Sequence, residues 1–394
     1  MSELISEMSC PPVAARVRAL APGRLARLLI QAHAYDAIDL ALGIPGAPPT
    51  PPVLIEEACS ALRAGHNQYE IPDGNPELRR HIAATLTAPT DPDTELTITA
   101  GATEALTVAM LSTVDPGDEV IVFEPFYENF LSTIALANGI PRLVRTYPPE
   151  WHYDLAELTA AFGPRTRAIV LSTPNNPTGH VLSSAELLEI AELCERWNVL
   201  AISDEIYGAY VFDGHHHVSA ADLPALRERS MVISSLSKSH AISGWRLGYL
   251  RANAVLSAAA RQVHLTVCAG TAAPLQKAVA RAAALDPNFG KPTDDLQAQR
   301  NRMTGIFTAL GFRCAPPQGG CYLMADIRPF TSEDSESLTN RFLREARILV
   351  APGQLFHSPD SAYGNQLIRI AFNRTLNLLD EVEQRLAPYQ PSFH

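Results

Sequence analysis

Short apolar runs alternate with amphipathic segments through the middle of the chain. The apolar runs predict buried strands at Leu96–Thr99, Glu119–Phe123, Arg142–Arg145, Ala168–Ser172, Val199–Ser203 and Met231–Ser235. Apolar residues at helical spacing predict helices over Val53–Ala64, Pro76–Thr87, Thr103–Val114, Asn129–Asn138 and Ser184–Trp197. This alternation is typical of an α/β fold in which helices cover both faces of a mostly parallel central sheet.

The pattern changes towards both ends of the chain. After about residue 300, it predicts strands Cys321–Asp326, Leu349–Ala351 and Leu367–Ala371, with helices Ser335–Ala346 and Leu376–Leu386. Arg16–Ala34 has helical spacing broken at Pro22–Gly23, and the prolines of Ile44–Pro52 predict an extended linker. We therefore predict an N-terminal segment, 1–47, that contributes to a small α+β domain, a large domain, 48–300, and the C-terminal small domain, 301–394.

Composition narrows the classes of function. The 394 residues include 31 Lys and Arg against 42 Asp and Glu, a net charge of −11, which disfavours nucleic acid and anionic membranes as partners. Six cysteines without a CxxC pair indicate reduced thiols. The N-terminus lacks an apolar signal segment, and no apolar run approaches the ~20 residues that span a bilayer. These features predict a cytoplasmic protein.

A metal site is not expected from the sequence. The adjacent histidines 215–217 are the clearest candidate ligands, but three successive side chains cannot easily face one ion. We interpret this segment as a solvated loop and predict no bound metal.

Lys238 is the residue that most directly suggests chemistry. It lies in Ser234–Tyr249, among small hydroxyl residues and a short step before Arg246. Lysines are most often solvated surface charges, but this one follows a buried strand and precedes a turn of small residues. A lysine in such a setting can hold an aldehyde as an imine while nearby hydroxyl and guanidinium groups bind a phosphate.

Three other segments accompany the lysine segment, and together they carry a family resemblance. They are Thr99–Ala105, Asn175–Gly179 and Ser203–Tyr207. The set resembles the class I/II, fold type I, pyridoxal-phosphate aminotransferases, and most closely their kynurenine/methionine aminotransferase-like branch, from about Ile38 to about Leu386. The resemblance implies pyridoxal 5'-phosphate as cofactor and transfer of an amino group between an L-amino acid and a 2-oxo acid through a Lys238 imine.

The resemblance also implies roles around the cofactor ring. Lys238 would move a proton between the substrate and the cofactor. Asp204 would pair with the pyridine nitrogen and keep it protonated, while Tyr207 and Asn176 would donate hydrogen bonds to the phenolic oxygen. Tyr127 would stack on the ring. Without the resemblance, an acidic residue at a strand end is more often a cap, and Tyr127 is as readily an ordinary packing residue.

The phosphate would lie at the turn from strand to helix. Gly101, Ala102 and Thr103 offer backbone N–H groups and a positive helix end there, although many such turns are plain helix caps. By the resemblance, Ser235 and Arg246 contact the phosphate. Ser237 matches the family pattern less closely.

The substrate and the partner subunit have implied residues as well. Arg369, in the middle of an apolar strand, would bind the substrate α-carboxylate, and Gly43 and Asn176 would approach the same group. A structural salt bridge is the alternative for Arg369, and Arg374 is interpreted as a surface charge. Tyr69 would reach the phosphate of the other subunit, which predicts a homodimer.

Departures from the family pattern bear on the substrate. No arginine occupies the place that binds a distal carboxylate in dicarboxylate-specific relatives, since Arg261 comes slightly too early. Thr103, Val267 and Cys268 stand where the kynurenine-like branch has aromatic residues, so a large aromatic substrate is not expected.

The alternative to an aminotransferase is a pyridoxal-phosphate enzyme of γ-elimination, replacement or carbon–carbon bond formation, acting for example on S-adenosylmethionine. A non-catalytic regulator is disfavoured, because every catalytic position is filled.

Overall fold

The computed structural model describes residues 13–18, 20, 23–46, 49–286 and 295–390. The predictions that involve the N-terminal residues 1–12, Pro22 and the domain boundary at residues 47 and 48 lie outside the described residues. The strands are β1 Ile38–Asp39, β2 Leu96–Thr99, β3 Glu119–Glu124, β4 Ile140–Tyr147, β5 His152–Tyr153, β6 Thr166–Ser172, β7 Leu200–Asp204, β8 Ser230–Ser235, β9 Gly248–Ala252, β10 Arg313–Cys314, β11 Tyr322–Asp326, β12 Ile348–Leu349, β13 Ala351–Pro352 and β14 Leu367–Ala371.

Helices connect and cover these strands. They are α1 Ala15–Arg18, α2 Arg24–Ala34, α3 Pro52–Arg63, α4 Pro76–Thr85, α5 Gly101–Thr113, α6 Glu128–Leu136, α7 Leu155–Ala161, α8 Ser184–Trp197, α9 Pro224–Arg227, α10 Leu236–Ser239, α11 Ala254–Val267, α12 Ala273–Leu285, α13 Asp295–Ala309, α14 Ser335–Arg341, α15 Ala362–Gln366 and α16 Leu376–Leu386. None of the described helices is long and apolar enough to cross a membrane.

An eight-stranded sheet has the order β2-β9-β8-β7-β6-β3-β4-β5. Strands β8, β7, β6, β3 and β4 are parallel neighbours, and β2 runs in the same direction because β9 is antiparallel to both β2 and β8. The predicted mostly parallel sheet is therefore confirmed, and the carboxyl ends of six strands meet at one edge.

Alternating side chains of each strand face opposite helical layers. In β3, Val120 and Val122 pack in a core with α5 and α6, whereas Ile121 belongs to a second core with α7 and α8. Helix α8 matches its predicted bounds, because Ser183 and Glu186 form a capping box at its start and Asn198 adopts a left-handed conformation at its end. The apolar residues thus place helices on both faces of the sheet.

A smaller, antiparallel sheet has the order β10-β11-β14-β13, and β1 pairs with β12 beside it. The predicted single strand Leu349–Ala351 is wrong in detail. Leu349 pairs with Asp39 in the two-stranded sheet, whereas Ala351 pairs with Arg369 in the four-stranded one. Val350 lies between these two strands, so one apolar run contributes a strand to each of two sheets. The predicted helix Ser335–Ala346 is α14 followed by a π-helical turn, Phe342–Ala346.

Strand β9 and helices α11, α12 and α13 are additions to the predicted elements. Strand β9 is short and carries Arg251 as its fourth residue, where the guanidinium is buried rather than turned to solvent. A charged residue in a five-residue strand breaks the apolar run on which the strand prediction depends.

Arg374 is buried, and its interpretation as a surface charge is wrong. Its guanidinium donates to the backbone carbonyls of Asp39 (Nε–O 3.0 Å), Ile44 (Nη1–O 2.8 Å) and Leu42 (Nη2–O 2.6 Å). It therefore supplies the hydrogen bonds that the irregular segment after β1 cannot make within a sheet. That segment includes Gly43, so Arg374 positions part of the cavity wall described below.

We expect Arg374→Met to lower the free energy of unfolding by about 3 kcal/mol, because it leaves several buried carbonyls without a donor. Urea denaturation of the variant and the natural chain measures this difference. Arg196→Met, on the exposed side of α8, is the matched control and should change stability by less than about 0.5 kcal/mol. Equal stability of the two variants would contradict a structural role for Arg374.

Candidate active site

The carboxyl ends of the parallel strands open into a cavity of about 340 Å³. Segments that follow β2, β3, β6, β7 and β8 reach this edge of the sheet, which is where ligands bind in open α/β folds. The lining side chains and backbone come from Leu25, Leu29, Leu42, Gly43, Ile44, Ala102, Thr103, Leu106, Tyr127, Glu128, Asn176, Asp204, Ile206, Tyr207, Lys238, Tyr322 and Arg369.

Lys238 lies in the short helix α10, directly after β8, and its ammonium faces the cavity. Its Nζ donates to the backbone carbonyl of Gly43 at 2.6 Å, and its own carbonyl accepts from the Tyr210 hydroxyl at 2.7 Å. The backbone of α10 is therefore fixed, while the amine is held by a hydrogen bond to a backbone carbonyl that a ligand can replace. This placement agrees with a lysine whose amine acts within the cavity and is not a solvated surface charge.

Asp204 ends β7 and is buried in the cavity wall. Its Oδ1 accepts from the backbone N–H of Ile206 at 3.3 Å, and no lysine, arginine or histidine of the described residues pairs with it. Burial raises the pKa of Asp204 to about 7 against the opposing effect of that hydrogen bond. A buried carboxylate without a cationic partner is costly, so the site is suited to a ligand that brings a positive charge.

Arg369, at the centre of β14, is 1% exposed and reaches the cavity from the smaller sheet. Its guanidinium donates to Asn176 Oδ1 at 2.8 Å and to the Ala41 carbonyl, and it stacks between the rings of Tyr322 (3.9 Å) and Phe356 (4.3 Å). A salt bridge does not hold it, so the structural alternative for Arg369 lacks a carboxylate partner among the described residues. The guanidinium is preorganised and retains donor capacity for an anion.

Tyr127 and Tyr207 are brought together with Asn176 around the same space. The Tyr127 hydroxyl accepts from Asn129 Nδ2 at 2.8 Å, and its ring meets Phe130 edge-on, so the ring orientation is fixed. Burial raises the pKa of both tyrosines, and the Tyr207 hydroxyl contacts the Tyr322 hydroxyl and the Cys321 thiol. All three residues are thus neutral hydrogen-bonding or stacking groups at neutral pH.

The residues predicted for a phosphate lie at the start of α5. Gly101 has φ +79°, and a side chain there would collide with the Arg246 guanidinium. Arg246 itself adopts φ +54°, an unfavourable conformation for arginine that places its Nη2 3.4 Å from the Ala100 carbonyl. The backbone of the turn and the guanidinium therefore approach each other closely enough to share one anion.

Ser235 and Ser237 adjoin this turn but bond to each other. Ser235 Oγ lies 2.8 Å from Ser237 Oγ and 3.0 Å from the Leu247 carbonyl. Neither serine lines the cavity, and Tyr69 is 93% exposed and also lies outside it. Gly101 and Arg246 are likewise not among the lining residues, whereas the other predicted residues line the cavity: Gly43, Ala102, Thr103, Tyr127, Asn176, Asp204, Tyr207, Lys238 and Arg369.

The sequence did not reveal Tyr322. It begins β11, its hydroxyl accepts from the Gly43 N–H at 3.0 Å, and its ring covers Arg369. Gly43 must be glycine, since a Cβ would lie 2.5 Å from the Tyr322 hydroxyl. The signal was the unusual run Gly-Gly-Cys-Tyr before an apolar strand, but its meaning depends on the pairing of β11 with β14.

The interpretation of histidines 215–217 as a wholly solvated loop is wrong for His217, which packs against Glu205. Its Nε2 lies 3.1 Å from Glu205 Oε2, and the other Glu205 oxygen accepts from the Ser203 hydroxyl and the Ala220 N–H. Glu205 therefore holds this loop in place, and His215 and His216 remain exposed. The five described cysteines carry free thiols, and Cys10 lies outside the described residues.

Comparison with known proteins identifies the family to which the chain belongs. The family model "Aminotransferase class I and II" matches residues 36–386. The chain is 33% identical over 387 residues to the probable N-succinyldiaminopimelate aminotransferase DapC of Mycobacterium tuberculosis, covering 94% of this chain and 97% of the relative. It is 31% identical over 394 residues to kynurenine–oxoglutarate transaminase 1 of Rattus norvegicus, covering 90% of this chain and 93% of the relative.

Solved structures show the same fold. N-succinyldiaminopimelate aminotransferase from Mycobacterium tuberculosis matches with a TM-score of 0.91 and 33% identity, covering 96% of this chain and all of that one. YbdL from Escherichia coli, described as a methionine aminotransferase, matches with a TM-score of 0.90 and 28% identity at the same coverage. These relatives favour amino transfer over the alternative elimination chemistry. The chain therefore belongs to the class I and II aminotransferases, a fold type I family of enzymes that use pyridoxal 5'-phosphate.

Proposed function

We propose that this enzyme moves an amino group between a neutral, largely apolar L-amino acid and a 2-oxo acid, with pyridoxal 5'-phosphate held covalently by Lys238. One observation carries the proposal. An amine, a buried carboxylate and a buried guanidinium, those of Lys238, Asp204 and Arg369, line one cavity. The three groups match an aldehyde, a pyridinium nitrogen and a substrate carboxylate, respectively.

The described residues fit the cofactor. The Asp204 carboxylate has no cationic partner among the residues that the structure describes, and a protonated pyridine nitrogen would supply one. The side chain of Tyr127 lies in the cavity wall with a fixed orientation, as a stacking partner requires. Gly101 and Arg246 form the concave turn suited to a phosphate, extended by Ala102, Thr103 and Ser235.

Side chains of this protein then have separate roles in the reaction. When bound, the cofactor supplies an electrophilic carbon and an electron-withdrawing ring. Arg369 fixes the substrate through its carboxylate, with Asn176 and the Gly43 backbone beside it, while the rings of Tyr322 and Phe356 exclude water from the guanidinium. Lys238, once released as a free amine, carries the proton at the substrate Cα, and Tyr207 orients the phenolic oxygen of the ring.

The proposed substrate class follows from the rest of the cavity wall. Apolar side chains predominate there: Leu25, Leu29, Leu42, Ile44, Leu106 and Ile206. Arg261 is occupied elsewhere, since it bonds to Thr97, the Leu96 carbonyl and Asp73. A side chain with a distal carboxylate therefore finds no cation in this wall beyond Arg369 and Lys238, and a neutral side chain is favoured.

The assembly and the division of the chain are part of the proposal. A tyrosine that is 93% exposed is unusual, and a second copy would cover Tyr69 while bringing it to the neighbouring phosphate site. We propose a homodimer on this basis, and a cytoplasmic location on the basis of the cysteine pattern. Within each subunit, we propose a large domain, 48–300, and a small domain formed by 1–47 with 301–394.

A half-reaction tests the function. The purified holoenzyme should be converted to the pyridoxamine form by methionine or leucine without any 2-oxo acid, faster than by aspartate, and a 2-oxo acid should reverse the change. Absorbance spectroscopy follows both steps. Turnover of S-adenosylmethionine without pyridoxamine formation would instead establish elimination or bond-forming chemistry.

Lys238→Ala should abolish the absorbance band of the internal cofactor linkage and lower kcat by at least about 10³-fold, because both the covalent attachment and the proton carrier are lost. Lys277→Ala is the matched control, since Lys277 pairs with Glu77 on the surface of α12. A retained band in the Lys238 variant would show that the attachment is elsewhere.

The cofactor-free protein should show a pH dependence of stability that belongs to Asp204. Burial raises the pKa of this group to about 7, so the folded state binds its proton more tightly than the unfolded state does. The corresponding stabilisation is present at low pH and is lost as the pH rises through about 7, at up to about 1.4 kcal/mol per pH unit.

Asp204→Asn should remove this component, so that the two unfolding free energies converge at about pH 4 and diverge towards pH 8, where the variant is more stable. Urea denaturation at several pH values measures the difference between them. Asp360→Asn, at an exposed position, serves as the control. Parallel curves for Asp204→Asn and the natural chain would overturn the assignment.

A further inference from the structure

A buried network of hydrogen bonds joins the start of α5 to the segment that carries Tyr69. His264, on α11, is fully buried. Its Nδ1 lies 2.7 Å from Glu104 Oε1, and its Nε2 lies 2.8 Å from the carbonyl oxygen of Pro72. The other Glu104 oxygen accepts a hydrogen bond from the backbone N–H of Ala100. Cys268 also approaches Glu104 within this cluster.

The geometry indicates where the protons of this network lie. A carbonyl oxygen only accepts, so the Nε2 of His264 must carry a proton. At the N-terminal end of α5, one Glu104 oxygen accepts the Ala100 N–H and the other lies against His264 Nδ1, an arrangement in which the carboxyl group acts as acceptor at both oxygens. The proton between Glu104 and His264 therefore belongs on Nδ1, and the ring is an imidazolium.

The same network and Arg246 hold the backbone of Ala100, the residue that precedes Gly101, at both its N–H and its carbonyl. The N–H of Ala100 is held by Glu104, and its carbonyl accepts from Arg246 Nη2 at 3.4 Å. The turn 100–103 thus depends on a carboxylate placed next to an anion site. Unless a cation neutralises that carboxylate, it would repel a phosphate bound at the same helix end.

We propose that His264 is a positioning residue for the cofactor phosphate. It neutralises Glu104, which keeps the turn 100–103 able to accept a dianion, and it ties this turn to Pro72 in the segment that offers Tyr69 to a second subunit. The inference rests on the proposed function, because it assigns the turn to pyridoxal 5'-phosphate. His264 touches neither substrate nor cofactor and acts through Glu104.

The charged groups around His264 set the direction of its titration. Glu104 faces it from α5, Asp73 from the loop before α4, and Arg261 and Cys268 from its own helix and the residue that follows, with Arg261 paired to Asp73 at 3.1 Å. Burial opposes the charged ring, but the hydrogen bond and charge of Glu104 outweigh it and raise the pKa of His264. The ion pair is present at low pH and is lost as the pH rises through that raised value.

Cofactor affinity of three variants tests the proposal. His264→Gln leaves Glu104 without a cation and should weaken binding of pyridoxal 5'-phosphate at least about tenfold. The double variant Glu104→Gln/His264→Gln removes both charges and should recover most of that loss. His216→Gln, in an exposed loop, is the matched control. Affinity is measured by absorbance titration of cofactor-stripped protein between about pH 6 and 9.

Nitrogen NMR of the natural holoenzyme provides a readout that is independent of affinity and of the folding of any variant. Two protonated ring nitrogens in His264 near pH 7 support the proposal, and one bare nitrogen overturns it. Unchanged affinity in a folded His264→Gln variant also overturns it, as does a double variant that binds no better than the single one. Failure of the natural chain to bind the cofactor would instead overturn the proposed function.

Discussion

The convergence of parallel strand ends at one edge of the sheet is the constraint on which the cavity depends. A parallel strand leaves its terminal carbonyl groups, and the residues that follow, at the same edge as its neighbours. Tyr127, Asn176, Asp204 and Lys238 each follow or end a different strand. Residues that are far apart in sequence therefore share a cavity without any loop having to cross the fold.

Much of this arrangement could be predicted from the chain because it depends on local pattern. Continuous apolar runs identify β6 and β7, and a lysine or aspartate at the end of such a run must then lie at the edge of the sheet. Strand β9 was not predictable in this way, since Arg251 interrupts it. Arg374 was misjudged because its partners are backbone carbonyls, which no sequence pattern marks.

The remaining parts of the site depend on tertiary pairing. Tyr322 covers Arg369 only because β11 and β14 are antiparallel neighbours in the register that pairs Met324 with Arg369. Likewise, the link between Glu104 and His264 spans 160 residues. Such contacts depend on how the elements pack, so the sequence shows which residue types are present but does not predict which of them come into contact.

The pairing of β1 with β12 has a consequence for how the protein is made. Ile38 lies beside Ile348 in this ladder, although the whole eight-stranded sheet is encoded between them. During synthesis, the larger sheet can form while β1 still waits for its partner, and Arg369 emerges later still. The cavity wall is therefore completed only after β14 has been synthesised, so a nascent chain can assemble the part of the wall at the strand ends before Arg369 joins it.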